Sequence, residues 1–167
     1  VFEALGLRPR DGRDREAPMV ENWQAVAEAV RESTDRRLDR VHDEYDDVSR
    51  LPPVEFGPRG HDPDSPPPDG ESLLDLIGGI ASVFLFYTAE RRETVLVYNP
   101  AGAWEPPSGV VEDGRSLAET ARVEAREETG LEVDLVDVAY TRRFEFRFAD
   151  GRTVELPIVQ YVGHRAG

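Results

Sequence analysis

The chain has 167 residues, of which 34 are acidic and 20 are basic, so its net charge is −14 at pH 7. All the basic residues are Arg, and the sequence contains neither Lys nor Cys. Such acidity argues against duplex nucleic acid and membrane as partners. The lack of Cys excludes disulfides and thiol catalysis. Because no apolar run is long enough to span a membrane and no signal sequence is visible, we expect a cytoplasmic protein.

The first 70 residues are predicted to lie outside the main domain. We assign residues 1–18 to an N-terminal extension and residues 19–51 to an amphipathic helix, because apolar residues recur there at three- and four-residue steps. This helix packs on the main domain or on a second subunit, which would make a homodimer. Residues 52–70 hold seven of the thirteen prolines, which predicts a linker.

Residues 71–167 are predicted to form a single α+β domain. Strands are expected at 80–87, 94–98 and 153–162, with Asp150-Gly151 as a hairpin turn, and the ranges 132–138 and 139–148 are expected to be two strands or one bent strand. Between them, a capping box of Ser116 and Glu119 begins a helix that Gly130 ends. Leu117, Ala121 and Ala125 give this helix an apolar stripe that faces the core.

The opposite side of this helix carries three carboxylates, Glu124, Glu127 and Glu128. Positions i, i+3 and i+4 of a helix lie on one face, so three negative charges are crowded together and need a cation between them. Oxygen ligands of this kind suit Mg²⁺, or alternatively Mn²⁺. The competing interpretation is a solvated acidic helix in an acidic protein.

The same stretch resembles the Nudix box, in which glycines and glutamates recur at fixed spacing. The matching residues are Gly109, Glu124, Glu127, Glu128, Gly130 and Leu131. The preceding segment from Trp104 to Gly109 is similar to the family's Trp-x-x-Pro-Gly-Gly approach, with Ser108 in place of a glycine. The resemblance covers roughly residues 79–163 and implies a Nudix-like α/β/α sandwich with a mixed sheet.

Two positions depart from the Nudix pattern. Arg115 stands where the family has Glu, and Val123 stands where it has Arg. In the family these two residues form a supporting ion pair, so the two departures together remove one interaction. The metal-binding stripe is unaffected, while the rigidity of the box is put in question.

The resemblance implies Mg²⁺-dependent hydrolysis of a diphosphate linkage in a nucleoside diphosphate linked to another group, X. It assigns the catalytic metal to Glu124, Glu127 and Glu128, adds a backbone carbonyl of Ser108 or Gly109, and brings in Glu112 through water. A box glutamate, or alternatively Glu145 or Glu155, would act as the general base.

Three further residues are candidate substrate contacts. Trp104 would stack on a base or, alternatively, fill the core. Arg142 or Arg143 would clamp a phosphate or, alternatively, pair with surface carboxylates.

Two further expectations concern the whole chain. The departures at Arg115 and Val123 favour an alternative function, a catalytically weak or inactive Nudix-like module that binds or senses a nucleotide. The acidic, lysine-free composition resembles that of halophilic proteins, including haloarchaeal ones, whose carboxylate-rich surfaces remain hydrated when salt screens their repulsion.

Overall fold

The computed structural model describes residues 23–56, 78–98, 102–112, 114–147 and 153–167. The predictions for the N-terminal extension, most of the proline-rich segment and the hairpin turn at Asp150-Gly151 lie outside these residues. The described helices are α1 (Trp23–Glu44) and α2 (Leu117–Thr129). The described strands are β1 (Ser49–Arg50), β2 (Val54–Phe56), β3 (Ile80–Phe86), β4 (Thr94–Val95), β5 (Val97–Tyr98), β6 (Trp104–Glu105), β7 (Ser108–Val110), β8 (Val133–Arg147) and β9 (Thr153–Arg165).

Seven of the described strands form one mixed sheet with β9 at its centre. Strand β9 runs antiparallel to β8 on one side and parallel to β3 on the other. The short strands β1 and β2 pair in parallel with β8, while β4 and β7 pair antiparallel with β3. Strands β5 and β6 form a separate two-stranded ribbon. The predicted α+β class and the mixed sheet are therefore confirmed.

Strand β8 is long and irregular. Its pairing with β9 shifts register between Leu135 and Asp137 and again between Val138 and Tyr140. Such irregularities bend a strand and increase its local twist. The sequence analysis predicted two segments or one bent strand over this range, and the structure has one bent strand.

Helix α1 packs against the sheet of its own chain. Thr34 donates its hydroxyl proton to the backbone carbonyl of Glu155 at 2.8 Å, and the Nε2 atom of His42 lies 2.9 Å from the Thr141 hydroxyl. At the C-terminal end of the helix, the ring of Tyr45 meets the edge of Tyr161 at a centroid distance of 6.1 Å. Of the two arrangements expected for this helix, packing on the main domain is the one observed.

The segment after α1 differs from the sequence prediction. The helix ends at Glu44, and Asp47 adopts a left-handed φ of 55° just before β1. Strands β1 and β2 then join the sheet in ranges assigned to the end of the helix and to the linker. Pro52 and Pro53 separate these two strands. Proline has no backbone N–H to donate, so it is tolerated at the edge of a sheet, where an outward-facing N–H has no strand partner.

Helices α1 and α2 contribute to one hydrophobic core with the central strands. Leu38 of α1 and Ala121 of α2 belong to this core, which also includes Val83 and Tyr161 from the central strands. Ala121 is fully buried, as the apolar stripe of the predicted helix requires. Among the described residues, no helix is long and apolar enough to cross a membrane.

Candidate functional site

Helix α2 begins and ends at the residues that the sequence predicts. The Ser116 hydroxyl accepts the N–H of Glu119 at 3.1 Å, and the Glu119 carboxylate accepts the N–H of Ser116 at 2.8 Å. Gly130 has a left-handed φ of 73°, and its N–H donates to the carbonyl of Arg126 at 2.8 Å. The capping box and the glycine cap are thus confirmed, and the buried face with Leu117, Ala121 and Ala125 sets the rotation of the helix about its axis.

That rotation brings Glu124 directly over Gly109 of β7. A Cβ atom built at Gly109 would lie 2.1 Å from Cδ and 2.5 Å from Oε1 of Glu124, so the Glu124 side chain would have to move away. The lack of a side chain at Gly109 therefore allows the carboxylate of Glu124 to lie against the backbone of β7. This close approach explains why a glycine precedes the helix at this point.

Glu128, one helical turn further along, contacts the same strand. Its Oε2 atom accepts the backbone N–H of Ser108 at 3.0 Å. Ser108 and Gly109 of β7 thus meet Glu128 and Glu124 respectively, so two of the three predicted ligands lie beside the two residues whose carbonyls were assigned to the metal. The third, Glu127, is exposed.

Strand β7 is held in place from the side of β3. The carbonyl of the buried Pro107 accepts the N–H of Val83 at 3.0 Å and the hydroxyl of Ser82 at 3.2 Å. The N–H of Val111 donates to the carbonyl of Gly79 at 2.9 Å. Because these bonds fix both ends of β7, the positions of Ser108 and Gly109 are set by the central sheet.

The carboxylates interact electrostatically. Partial burial raises the pKa of the Glu124 carboxyl above its ordinary value. The nearby charges of Glu127, Glu128 and Glu112 raise this pKa further, whereas Arg115 lowers it. The negative charge of Glu124 is therefore disfavoured unless a cation neutralises it.

Glu112 and Arg115 form an ion pair immediately before α2. The Arg115 Nη1 atom lies 2.9 Å from Oε2 of Glu112, and the Glu112 side chain is 68% exposed. The sequence indicates Glu112 or Glu119 as alternative partners of Arg115, because both lie within four residues of it and carry the opposite charge, and the structure shows the pair with Glu112. Val123, the other departure, is half-buried on α2.

The donor set agrees chemically with a hard divalent cation. Glu124, Glu127, Glu128 and Glu112 supply only oxygen atoms, which Mg²⁺ and Mn²⁺ prefer. In the geometry of the described residues, no three acidic, His or Cys side chains already enclose a common point that could hold an ion. The carboxylates would therefore have to draw together around a cation. Their mutual repulsion at Glu124 opposes this approach unless a cation neutralises it.

Trp104 lies at the surface, four residues before Ser108. Its side chain is 67% exposed, so it does not fill the core. Tyr98, which pairs with it across the β5–β6 ribbon, is 62% exposed, and the two rings lie 5.1 Å apart at an interplanar angle of 57°. The sequence analysis named Trp104 without this neighbour. Only the pairing of two very short strands brings the rings together.

Arg142 and Arg143 project from opposite faces of β8. Arg143 forms ion pairs with Asp35 of α1 and, at 3.0 Å, with Glu155 of β9. It thereby ties α1 to the sheet. Arg142 pairs across the ladder with Ile158, and its Nε atom is buried without a hydrogen-bond partner among the described residues. The structure does not bring either arginine into contact with the carboxylates of α2.

The two carboxylates considered as alternative bases are also engaged in ion pairs. Glu145 and Glu155 lie opposite each other on β8 and β9. Glu145 pairs with Arg147 at 2.9 Å, and Glu155 pairs with Arg143. Both therefore contribute to a charged network between the strands.

Comparison with known proteins agrees with this geometry. A family model described as the NUDIX domain matches residues 80–164, which is just over half of the chain. The match begins with β3 and ends within β9, so it includes β7, α2 and every carboxylate assigned to the metal. No curated protein matches the chain.

Proposed function

Because this chain belongs to the Nudix family, whose members hydrolyse nucleoside diphosphates linked to another group, we propose that it is a Mg²⁺-dependent pyrophosphohydrolase. Its substrate would be a nucleoside diphosphate linked to X, and the bond cleaved would be the phosphoanhydride. Mn²⁺ would serve as an alternative to Mg²⁺.

One observation carries this proposal, namely the contact of two helix glutamates with the strand that precedes them. Glu124 lies against Gly109, and Glu128 accepts the N–H of Ser108. A helix that merely solvated the fold would have no need of a glycine beneath one of its carboxylates. The contact therefore favours a ligand site over a solvated acidic face.

We assign the metal to Glu124, Glu127 and Glu128, with a backbone carbonyl of Ser108 or Gly109 and a water-mediated contact from Glu112. A divalent cation held there would supply positive charge to the diphosphate oxygens and acidify a bound water. Glu124 and Glu128 would orient the site because both contact β7. Glu127, being exposed, is free to adjust when a substrate binds.

The attacking water needs a base within hydrogen-bond reach. We assign this role to one of the three box glutamates. Glu145 and Glu155 are weaker candidates, because each is paired with an arginine. A base that must accept a proton is less effective when a guanidinium stabilises its charged form.

We assign the exposed ring of Trp104 to stacking on the nucleobase of the substrate. With Tyr98 beside it, Trp104 offers an aromatic surface that is already formed before a ligand arrives. The Nε atom of Arg142 has no hydrogen-bond partner among the described residues, so Arg142 is a candidate for a phosphate contact. Arg143 is the weaker candidate of the two, because Asp35 and Glu155 already engage it.

The decisive experiment is an assay of cleavage products with nucleotide sugars, dinucleotides and nucleoside triphosphates. The purified chain is incubated with each compound at multimolar KCl, with Mg²⁺ or with a chelator, and products are separated by ion-exchange chromatography. We expect Mg²⁺-dependent release of a nucleoside monophosphate from at least one class. No turnover of any compound at any salt concentration would contradict the proposal.

The alternative is a catalytically weak or inactive module that binds a nucleotide. The replacement of the family's Glu and Arg by Arg115 and Val123 favours it, because an ion pair that supports the box is missing. Tight, Mg²⁺-dependent binding of a nucleotide in calorimetry, without cleavage in the same buffer, would establish this alternative.

A further inference from the structure

Arg115 lies in the turn that joins β7 to α2. Its backbone N–H donates to the carbonyl of Glu112 at 3.1 Å, and Gly114 adopts a left-handed φ of 86° within the turn. The next residue, Ser116, is the N-cap of α2. The backbone of Arg115 is therefore fixed between a closed turn and a capped helix.

The side chain of Arg115 is held at one end and remains accessible. Its Nη1 atom contacts Glu112 at 2.9 Å, and 36% of the side chain is exposed. A guanidinium group carries five N–H donors in a planar fork. Glu112 is its ion-pair partner in the described part of the chain, so other donors of the fork are available to a ligand.

Arg115 also opposes the negative charge of the site. The charges of three carboxylates raise the pKa of the Glu124 carboxyl, namely those of Glu127, Glu128 and Glu112. The charge of Arg115 lowers this pKa. Four carboxylates in one place repel an anionic diphosphate, and a fixed cation at their margin reduces that repulsion. A guanidinium group additionally matches two oxygens of a phosphate at once.

We propose that Arg115 binds a phosphate oxygen of the diphosphate substrate, beside the carboxylates of α2. This inference rests on the proposed function, since it concerns the same ligand. The glutamate that the Nudix box has at this position could not make such a contact. Because position 123 is the apolar, half-buried Val123, a glutamate at position 115 would also lack the cation that pairs with it in the family.

The test measures binding rather than turnover. Methylenediphosphonate, a diphosphate mimic that cannot be hydrolysed at its bridge, is titrated calorimetrically into the Mg²⁺-saturated chain at constant KCl, and Mg²⁺ alone is titrated separately. We compare the wild type with Arg115→Gln, Arg115→Lys and Arg126→Gln. Arg126 is a matched control because it pairs with a single glutamate, Glu132, at 3.2 Å and is 69% exposed.

We expect Arg115→Gln to weaken binding of the mimic about tenfold or more, which corresponds to about 1.4 kcal/mol. Mg²⁺ affinity should stay the same or increase, because a positive charge has been removed from the cluster. Arg115→Lys should retain part of the affinity, since it keeps the charge but loses the fork. Arg126→Gln should bind the mimic like the wild type.

Two results would overturn the inference. In the first, Arg115→Gln binds the mimic as tightly as the wild type does. In the second, the substitution weakens the binding of Mg²⁺ and of the mimic equally, which would mean that Arg115 only orders the site. If circular dichroism shows that Arg115→Gln does not fold, the comparison uses Arg115→Lys instead. An affinity of Arg115→Lys for the mimic equal to that of the wild type would then contradict the contact. A wild type that cleaves substrates while Arg115→Gln binds normally refutes this inference alone, whereas a wild type that neither cleaves nor binds refutes the proposed function as well.

Discussion

Glu124 and Gly109 are in such close contact that a methyl group at Gly109 would lie 2.1 Å from the carboxyl carbon of Glu124. A residue on a short strand thereby determines where a helix carboxylate can lie. The neighbouring contact between Ser108 and Glu128 repeats the arrangement one helical turn later. Two adjacent residues of β7 thus position two carboxylates of α2.

The first prediction concerns these carboxylates. Glu124→Gln and Glu128→Gln should each lower Mg²⁺-dependent turnover by a factor on the order of 10² or more, because each removes a charged oxygen from the group that stabilises developing charge. Both variants should fold. Glu132→Gln, an exposed carboxylate beyond the helix, is the matched control and should keep normal activity. Near-normal turnover in either box variant would refute the ligand assignment.

The second prediction separates the contact at Gly109 from the general effect of replacing a glycine. Gly109→Ala should greatly reduce turnover because Glu124 must move away, and it should cost little stability because only a flexible side chain has to shift. Gly130→Ala meets no atom within 4 Å but is strained at φ 73°, so it should cost about 1 kcal/mol and leave turnover intact. Chemical denaturation and kinetics on both variants check this. Equal loss of turnover in the two would contradict it.

The third prediction follows from the raised pKa of Glu124. The folded state disfavours the charged form, so this group's contribution to stability is greatest below its ordinary value of 4.5 and is lost as pH rises through the raised pKa. In chelator at pH 7, Glu124→Gln should therefore melt at a higher temperature than the wild type. The difference should shrink as the pH is lowered toward 4. A variant that is less stable than the wild type at pH 7 would contradict the electrostatic argument.

How much of this site is visible in the sequence depends on how local its determinants are. Ser116, Glu119 and Gly130 act on backbone groups within four residues, so the limits of α2 could be predicted. The spacing of Glu124 and Glu128 places them on one face for the same reason. Only the family resemblance indicated their contact with β7, because the strand and the helix are separate elements and local spacing does not show that they meet.

The less local features were not predictable in the same way. Strands β1 and β2 are two and three residues long, and their place beside β8 depends on tertiary pairing rather than on their own residues. Arg143 could be identified as an arginine on a strand, but its partner Asp35 lies on a helix 108 residues earlier. A single sequence contains no periodicity that connects such positions.

The fourth prediction concerns the docking of α1. Burial lowers the pKa of His42, and the charge of Arg50 lowers it further, against the opposing effect of Asp39 and Asp43. A lowered pKa means that this histidine contributes stability above its ordinary value of 6.5, which is lost as pH falls through the lowered pKa. The free energy of unfolding should fall between pH 7 and pH 5 by less in His42→Gln than in the wild type. An NMR titration that gives His42 a pKa above 6.5 would contradict this.

The fifth prediction concerns salt. With a net charge of −14 and no Lys, the chain should repel itself in dilute buffer, and this repulsion should be screened in concentrated salt. The melting temperature should therefore rise from about 0.1 M KCl, where the screening length is about 10 Å, to about 1 M, where it is about 3 Å. Circular dichroism melts measure this directly. A flat or falling curve would refute the halophilic interpretation.

The position of β9 between β3 and β8 has a consequence for synthesis on the ribosome. Residues emerge in chain order, so β3 and β8 leave the exit tunnel before the strand that joins them. Until β9 follows, the nascent chain carries two strands whose facing edges have no partner, and unpaired edges are the places where chains associate wrongly. The central sheet can close only after residues 153–165 have been translated, which makes this domain dependent on β9 for protection from aggregation during translation.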